Sequence, residues 1–227
     1  MLDGHWRTSI DKGLRPVGRS LRRTGISADH LTALGLVMAA GAAVAIATGN
    51  LHLGLLLLVL TALPDALDGA VAKASGTAGP RGAFVDSTAD RVSDSVLLVG
   101  VAWYLATNDG GLAPLLPMAV LAASLIISYE RAKAESLGFD AKGGIMERAE
   151  RLVLLGLGLL FETLLVPVLW IMLALTIATA VQRFVKVWRQ ASRERPPVVT
   201  ARRASRRRAS RSTSSQWRRS LRSRNQR

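Results

Sequence analysis

The chain has 227 residues, no cysteine and a formal net charge of +14, which excludes disulfides and thiolate metal sites. Its 49% hydrophobic content is gathered into windows of about 20 residues, the length that spans a bilayer, and not spread as in a soluble core. The charge is just as uneven: residues 193–227 hold thirteen arginines and one glutamate, a net of +12, which leaves about +2 for the rest.

Residues 1–25 read as an interfacial amphipathic helix. Trp6, Ile10, Leu14, Val17 and Leu21 recur at helical spacing, and Arg7, Lys12, Arg15, Arg19, Arg22 and Arg23 supply a basic face for an anionic membrane surface. This stretch has no apolar core of the kind a secretory signal carries. Residues 26–190 then read as a membrane domain of six spanning helices, near Leu31 to Gly49, Leu51 to Val71, Phe84 to Ala106, Leu112 to Arg131, Ala149 to Thr163 and Leu164 to Val187. The fifth is separated from the sixth only by Glu162 and Pro167, so a single long helix is the alternative there. Ser27 or Asp29 is placed to cap the first span. Residues 191–227, rich in Ser, Arg and Pro, have no means of building a core and read as a disordered cytoplasmic tail.

Charge placement sets the orientation. Nearly all Lys and Arg fall in 1–30, 72–83, 132–148 and the tail, while the loops near Gly49–Leu51, Thr107–Gly111 and Phe161–Thr163 hold none. By the positive-inside pattern the first set is cytoplasmic. The chain therefore reads as an all-α, multi-pass protein of the cell's inner (plasma) membrane.

The chemistry concentrates between Pro64 and Asp90, in PDALDGAVAKASGTAGPRGAFVDSTAD. Asp65 and Asp68 share one helical face, as do Asp86 and Asp90, and the run from Gly76 to Gly82 breaks the helix between the pairs. Four carboxylates beside apolar segments need cationic company, because an unpaired buried charge costs several kcal/mol. Lys73, Arg81 and Arg91 are the bland partners; a hard divalent ion, Mg²⁺ or Mn²⁺, is the other. Gly69 and Gly82 permit close approach of backbone or ligand. Asp94 continues the row one turn on and reads as a supporting or capping residue.

The pattern Asp65-x2-Asp68-Gly69-x2-Ala72-Lys73-x8-Gly82-x3-Asp86-x3-Asp90 resembles the signature of the CDP-alcohol phosphatidyltransferases, with Lys73 where the family usually has Arg. The resemblance implies two metal ions held by Asp65, Asp68, Asp86 and Asp90, with Asp90 also the general base. It implies CDP-diacylglycerol contacts at Asp29, His30, Leu31, Thr32, Gly69, Lys73 and Gly79, the last through its backbone. Ala28 stands where the family often has Pro.

A second constellation comprises Ser128, Arg131, Arg148, Arg151 and Arg183, with Ser128/Arg131 and Arg148/Arg151 each sharing a face. Converging beside the metal site they would form a cationic pocket for a phosphate dianion; taken singly, each arginine also suits a membrane anchor paired with Glu147 or Glu150. As a set they resemble the acceptor pocket of actinobacterial phosphatidylinositol phosphate synthases, with Arg131 replacing a lysine. The resemblance covers roughly residues 15–190 and implies inositol phosphate as acceptor, CMP as leaving group and a homodimer. The small-residue faces Gly35/Ala39/Ala43 and Gly156 would allow close helix contact.

Competing readings remain distinct. The same aspartate signature serves synthases of phosphatidylglycerol phosphate and related lipids. Intramembrane acids also mark ion or proton carriers, whose acids sit at mid-bilayer and not near one face beside a Gly-rich loop. Nucleic acid is not an expected partner: apart from Trp217 the tail has no interleaved aromatics, and membrane lipid suits its charge as well.

Overall fold

A computed structural model describes residues 27–75 and 79–193, with the backbone alone at 28, 63–66 and 68–75. The expected interfacial helix and the tail beyond Arg193 lie outside the described residues. All regular structure among the described residues is helical: α1 Ala28–Ala47, α2 Leu51–Ser75, α3 Pro80–Asn108, α4 Leu115–Ser136, α5 Arg148–Leu160, a 3₁₀ turn Glu162–Leu164, and α6 Leu165–Ala191.

Local chemistry explains the boundaries. Ser27, not Asp29, caps α1: its hydroxyl accepts from the His30 amide at 3.3 Å, and the His30 Nδ1 accepts from the Ser27 amide at 3.3 Å. Asp29 turns instead to Arg81, 3.2 Å away. Gly49, at φ +83°, supplies the left-handed turn into α2. The break before α3 is narrower than expected. Pro80 takes the first helical position, where its missing N–H costs nothing, so Gly82 lies inside the helix. The expected break between the last two spans is real: Phe161 is extended, the 3₁₀ turn follows, and Leu165 restarts the helix.

Contacts fix the directions. Arg81 meets Asp29 at the N-termini of α3 and α1, and further along Gly100 abuts Ala43, so α1 and α3 run parallel. Arg148, which opens α5, meets Asp90 and Asp94 in the first half of α3, and the Tyr104 hydroxyl near the end of α3 donates to Glu162 just past α5. α5 is therefore parallel to both. The aspartate-bearing start of α3 and the start of α5 share one end of the bundle.

Ile46, Leu58, Leu97, Val101, Leu105, Val120, Leu159 and Leu169 make the core. In the middle of α1 a small residue faces inward and a large one outward: Ala39 is 1% exposed and Val37 68%. That inversion suits lipid surroundings, where helices approach through small residues. Among the described residues, three helical segments are long and apolar enough to cross a membrane, Asp29–Ala47, Leu115–Ser136 and Glu162–Ala191, and Leu51–Ala62 is a shorter apolar one.

The small-residue faces do give close helix contact, and they give it within the chain. Ala39 and Ala43 are buried within the chain, and a Cβ on Gly100 would lie 2.6 Å from the Ala43 carbonyl oxygen. A Cβ on Gly156 would meet Leu55 at 3.3 Å. These faces let helices of one chain approach each other, so they do not argue for contact between copies.

Candidate active site

α3 carries Asp86, Asp90 and Asp94 on successive turns of one face. Asp86 is exposed, Asp90 partly buried and Asp94 buried, so the row descends from solvent into the bundle. Asp65 and Asp68 lie in the last third of α2, as do Gly69 and Lys73; their side chains are outside the described residues. Gly79 is the N-cap of α3. Among the described residues, a Cβ on Gly82 would meet nothing within 4 Å. Asp86 and Asp90 offer carboxylate oxygens one turn apart, the donor type that Mg²⁺ and Mn²⁺ take, and in this respect the residues fit a divalent metal.

The arginines meet that row. Arg148 lies along α3, with Nη1 2.8 Å from Asp90 Oδ1 and Nε 3.2 Å from Asp94 Oδ1. Arg151 Nη2 is 2.8 Å from Asp94 Oδ2. Both come from the first turn of α5, three residues apart and so on one face. Arg183, 4% exposed, reaches from α6 to the Ile127 carbonyl at 2.9 Å, the Gly143 carbonyl at 3.3 and 3.4 Å, and Glu147 at 3.4 Å. Buried guanidinium groups persist only when so compensated. The fields of Arg131 and Arg151 both bear on Arg183, so the cationic groups lie within electrostatic range of one another.

The anchor reading of these arginines holds in one case. Arg183 does pair with Glu147, but Glu150 accepts from the Glu147 amide at 3.2 Å, and Arg148 and Arg151 choose Asp90 and Asp94. Among the described side chains, Arg81 pairs with Asp29 and not with Asp86 or Asp90.

Two expected members stand apart. Ser128 Oγ donates to its own helix, to the Ser124 carbonyl at 2.9 Å, as a hydroxyl inside a helix commonly does. It lines a cleft of about 460 Å³ between α3 and α4 with Ser87, Arg91, Ser95 and Tyr129. Ser87, Arg91 and Ser95 each follow one of the aspartates, so this cleft lies about 100° round α3 from them. Arg131 Nε binds Glu135 at 3.1 Å, with both side chains about half exposed. Among the described side chains, Arg148 and Arg151 meet on Asp94, while Arg183, Ser128 and Arg131 are held by other partners.

At the start of α1, Leu31 is buried, His30 is engaged in the cap, Asp29 is exposed on Arg81, and Thr32 is half-buried. What the sequence reading understated is Asp94, which holds both α5 arginines. Its i+4 spacing from Asp90 was the available signal; its partners, more than fifty residues away, had none. The loop between α4 and α5 was also not foreseen as structured. Gly143, at φ +89°, turns its carbonyl to Arg183, the Met146 amide donates to Thr179 Oγ1 at 2.9 Å, and Lys186 reaches Asp140 at 2.9 Å.

Comparison with known proteins places this geometry. The pattern of the CDP-alcohol phosphatidyltransferase family matches residues 26–188. The chain is 36% identical to the archaetidylinositol phosphate synthase of Methanothermobacter thermautotrophicus, over 74% of this chain and 86% of that one. It is 34% identical to the phosphatidylinositol phosphate synthase of Streptomyces avermitilis, over 85% and 84%. The phosphatidylinositol phosphate synthase of Mycobacterium tuberculosis superposes with a TM-score of 0.75 in its crystal structure with CDP-DAG bound, at 30% identity over 82% of this chain and 98% of that one. Its crystal structure with manganese and citrate gives 0.72, at 31% identity over 77% and 88%. The chain belongs to the CDP-alcohol phosphatidyltransferase family.

Proposed function

We propose that the protein transfers the phosphatidyl group of CDP-diacylglycerol to 1D-myo-inositol 3-phosphate, releasing CMP and forming phosphatidylinositol phosphate. The observation that carries this reading is the 2.8 Å ion pair between Asp90 and Arg148, which joins the last carboxylate of the signature to the arginine cluster. A base and a dianion site in contact suit an acceptor that carries both a hydroxyl and a phosphate. The relatives support the same choice: the names of the archaeal and bacterial synthases differ in the lipid but share inositol phosphate.

In this mechanism Asp90 takes the proton of the attacking hydroxyl, whose oxygen forms a bond to the lipid-linked phosphorus. The bond from that phosphorus to the bridging oxygen breaks, and CMP carries the electron pair away. Arg148, Arg151 and Arg183 bind the acceptor phosphate, joined by Ser128 and Arg131, which must turn from their present partners to do so. Asp29 to Thr32, Gly69, Lys73 and Gly79 hold the cytidine nucleotide and its pyrophosphate. Asp65, Asp68, Asp86 and Asp90 would hold two Mg²⁺ or Mn²⁺ ions, which supply charge neutralisation at the pyrophosphate when bound.

Six membrane spans with the acids at the cytoplasmic face complete the proposal, since the Lys and Arg residues gather at that end of the spans. The α2 segment after Ala62 and the start of α3 are polar, so these two spans lean on their apolar halves. Homodimerisation is proposed from the family resemblance alone.

The test is CMP release from CDP-diacylglycerol by purified protein with Mg²⁺ or Mn²⁺, comparing inositol phosphate, free inositol and glycerol 3-phosphate. Release with inositol phosphate alone is expected, and chelation of the metal should abolish it. Release with glycerol 3-phosphate instead would keep the family and remove the proposed acceptor.

A further inference from the structure

Resting on the acceptor assignment above, we infer that Asp94 is a positioning residue for the acceptor phosphate: its one carboxylate aims Arg148 and Arg151 at the dianion. Asp94 is 7% exposed and uses both oxygens, Oδ1 on Arg148 Nε at 3.2 Å and Oδ2 on Arg151 Nη2 at 2.8 Å. With both oxygens on the arginines, it acts through them.

Three features carry the inference. The first is charge. Two guanidinium groups share Asp94, and without it the two would repel each other in a partly desolvated place. The second is the unused capacity of Arg151. A guanidinium carries five N–H donors, and among the described residues Arg151 pairs only through Nη2. The third is the shape of the site. On the core side, the pair rests on Leu97, Leu98, Leu155 and Met172, with a void of about 10 Å³, about one water-sized sphere. No acceptor fits below, so it approaches from the Asp90 side, where the hydroxyl is to be activated.

Asp94 therefore does for the arginines what an outer carboxylate does for a metal-bound histidine: it locks the donor's orientation before the ligand arrives. The arginines hold the acceptor phosphate before and during the reaction alike, so loss of this aim weakens acceptor binding more than the chemical step.

The experiment compares Asp94→Asn, which removes the charge at near-constant volume, with Asp94→Glu, which keeps it. CMP release is measured against 1D-myo-inositol 3-phosphate at saturating CDP-diacylglycerol, and CDP-diacylglycerol affinity is measured separately by calorimetry without acceptor. For Asp94→Asn the acceptor KM is expected to rise about 10–100-fold, the usual effect of losing an orienting carboxylate, with kcat falling less and CDP-diacylglycerol Kd within about twofold. Asp94→Glu should fall between that variant and the native protein. An unchanged acceptor KM, or an equal rise in acceptor KM and CDP-diacylglycerol Kd, overturns the inference. Where Asp94→Asn does not fold, Asp94→Glu decides alone: a raised acceptor KM at unchanged CDP-diacylglycerol affinity supports the inference, and no change in either overturns it. Native protein that uses glycerol 3-phosphate and not inositol phosphate sinks the acceptor assignment alone; the Asp94 series is then read with glycerol 3-phosphate.

Discussion

One face of α3 leads two lives. Asp86, Asp90 and Asp94 occupy the same sector of the helix as Leu97, Val101 and Tyr104, because the positions differ by near-multiples of a turn. In the first half that face meets Arg148 and Arg151; in the second it meets the core of Ile46, Val120, Leu155 and Leu169. The helix is the same, and both halves turn inward. What differs is what the neighbouring helices bring: α5 opens with Arg148 and Arg151 and then turns apolar. The boundary falls at Asp94, which has guanidinium groups on one side and Leu97 on the other. A buried face becomes a site where its neighbours supply charge of the opposite sign, and becomes core where they do not.

The contrast can be broken from either half. The largest effect belongs to the polar half: Asp90→Asn should lower CMP release by at least about 100-fold, the low end of what a general base contributes, while CDP-diacylglycerol binding stays measurable by calorimetry. Loss of binding as well would make Asp90 chiefly a metal ligand. In the apolar half Gly100→Val should cost about 1–3 kcal/mol, read as a lower midpoint of thermal unfolding in detergent, because the new side chain meets Ala43 backbone. Tyr104→Phe removes the hydroxyl that donates to Glu162 and should cost about 1 kcal/mol by the same measurement, with CMP release unchanged.

The smallest effect lies outside the bundle. In the loop after α4, the hydrogen bond from Lys186, helped by the Lys142 amide, holds the Asp140 carboxyl below its ordinary value of 3.8. A depressed carboxylate adds stability that is complete above the unfolded value and fades as pH falls through the folded one. A thermal-unfolding series should therefore show Asp140→Asn slightly less stable than the native protein at neutral pH. The difference should close on acidification below about 3.8, and a gap that persists there would mean the loop is tied down by something else.

The helices were legible because apolar windows of spanning length, turn glycines and a capping serine announce themselves locally. Even the weakly marked break at Phe161–Leu164 was visible through Glu162 and Pro167. The acids were legible too, since their spacing is a pattern within one stretch. The convergence of the arginines was only half legible. A helix face tells which residues point together, as for Arg148 and Arg151, but not which neighbour receives them. Glu147 was a fair expectation for Arg183, and the two backbone carbonyls that also hold it leave no trace in residue identity. Ser128 and Arg131 shared a face as read, yet each found a partner on its own helix, where a short reach costs little entropy.

The contact of Gly100 with Ala43 acts as a depth gauge for the catalytic end. α1 and α3 run parallel, and Asp29 precedes Ala43 by fourteen residues just as Asp86 precedes Gly100. At about 1.5 Å per residue, both sit roughly 21 Å along their helices from the shared contact. The notch between a glycine and an alanine backbone thus levels Asp29 at the start of α1 with Asp86 of α3. A larger residue at either position would leave Asp29 and Asp86 intact and set them at different heights, so a change deep in the bundle would be felt at its end.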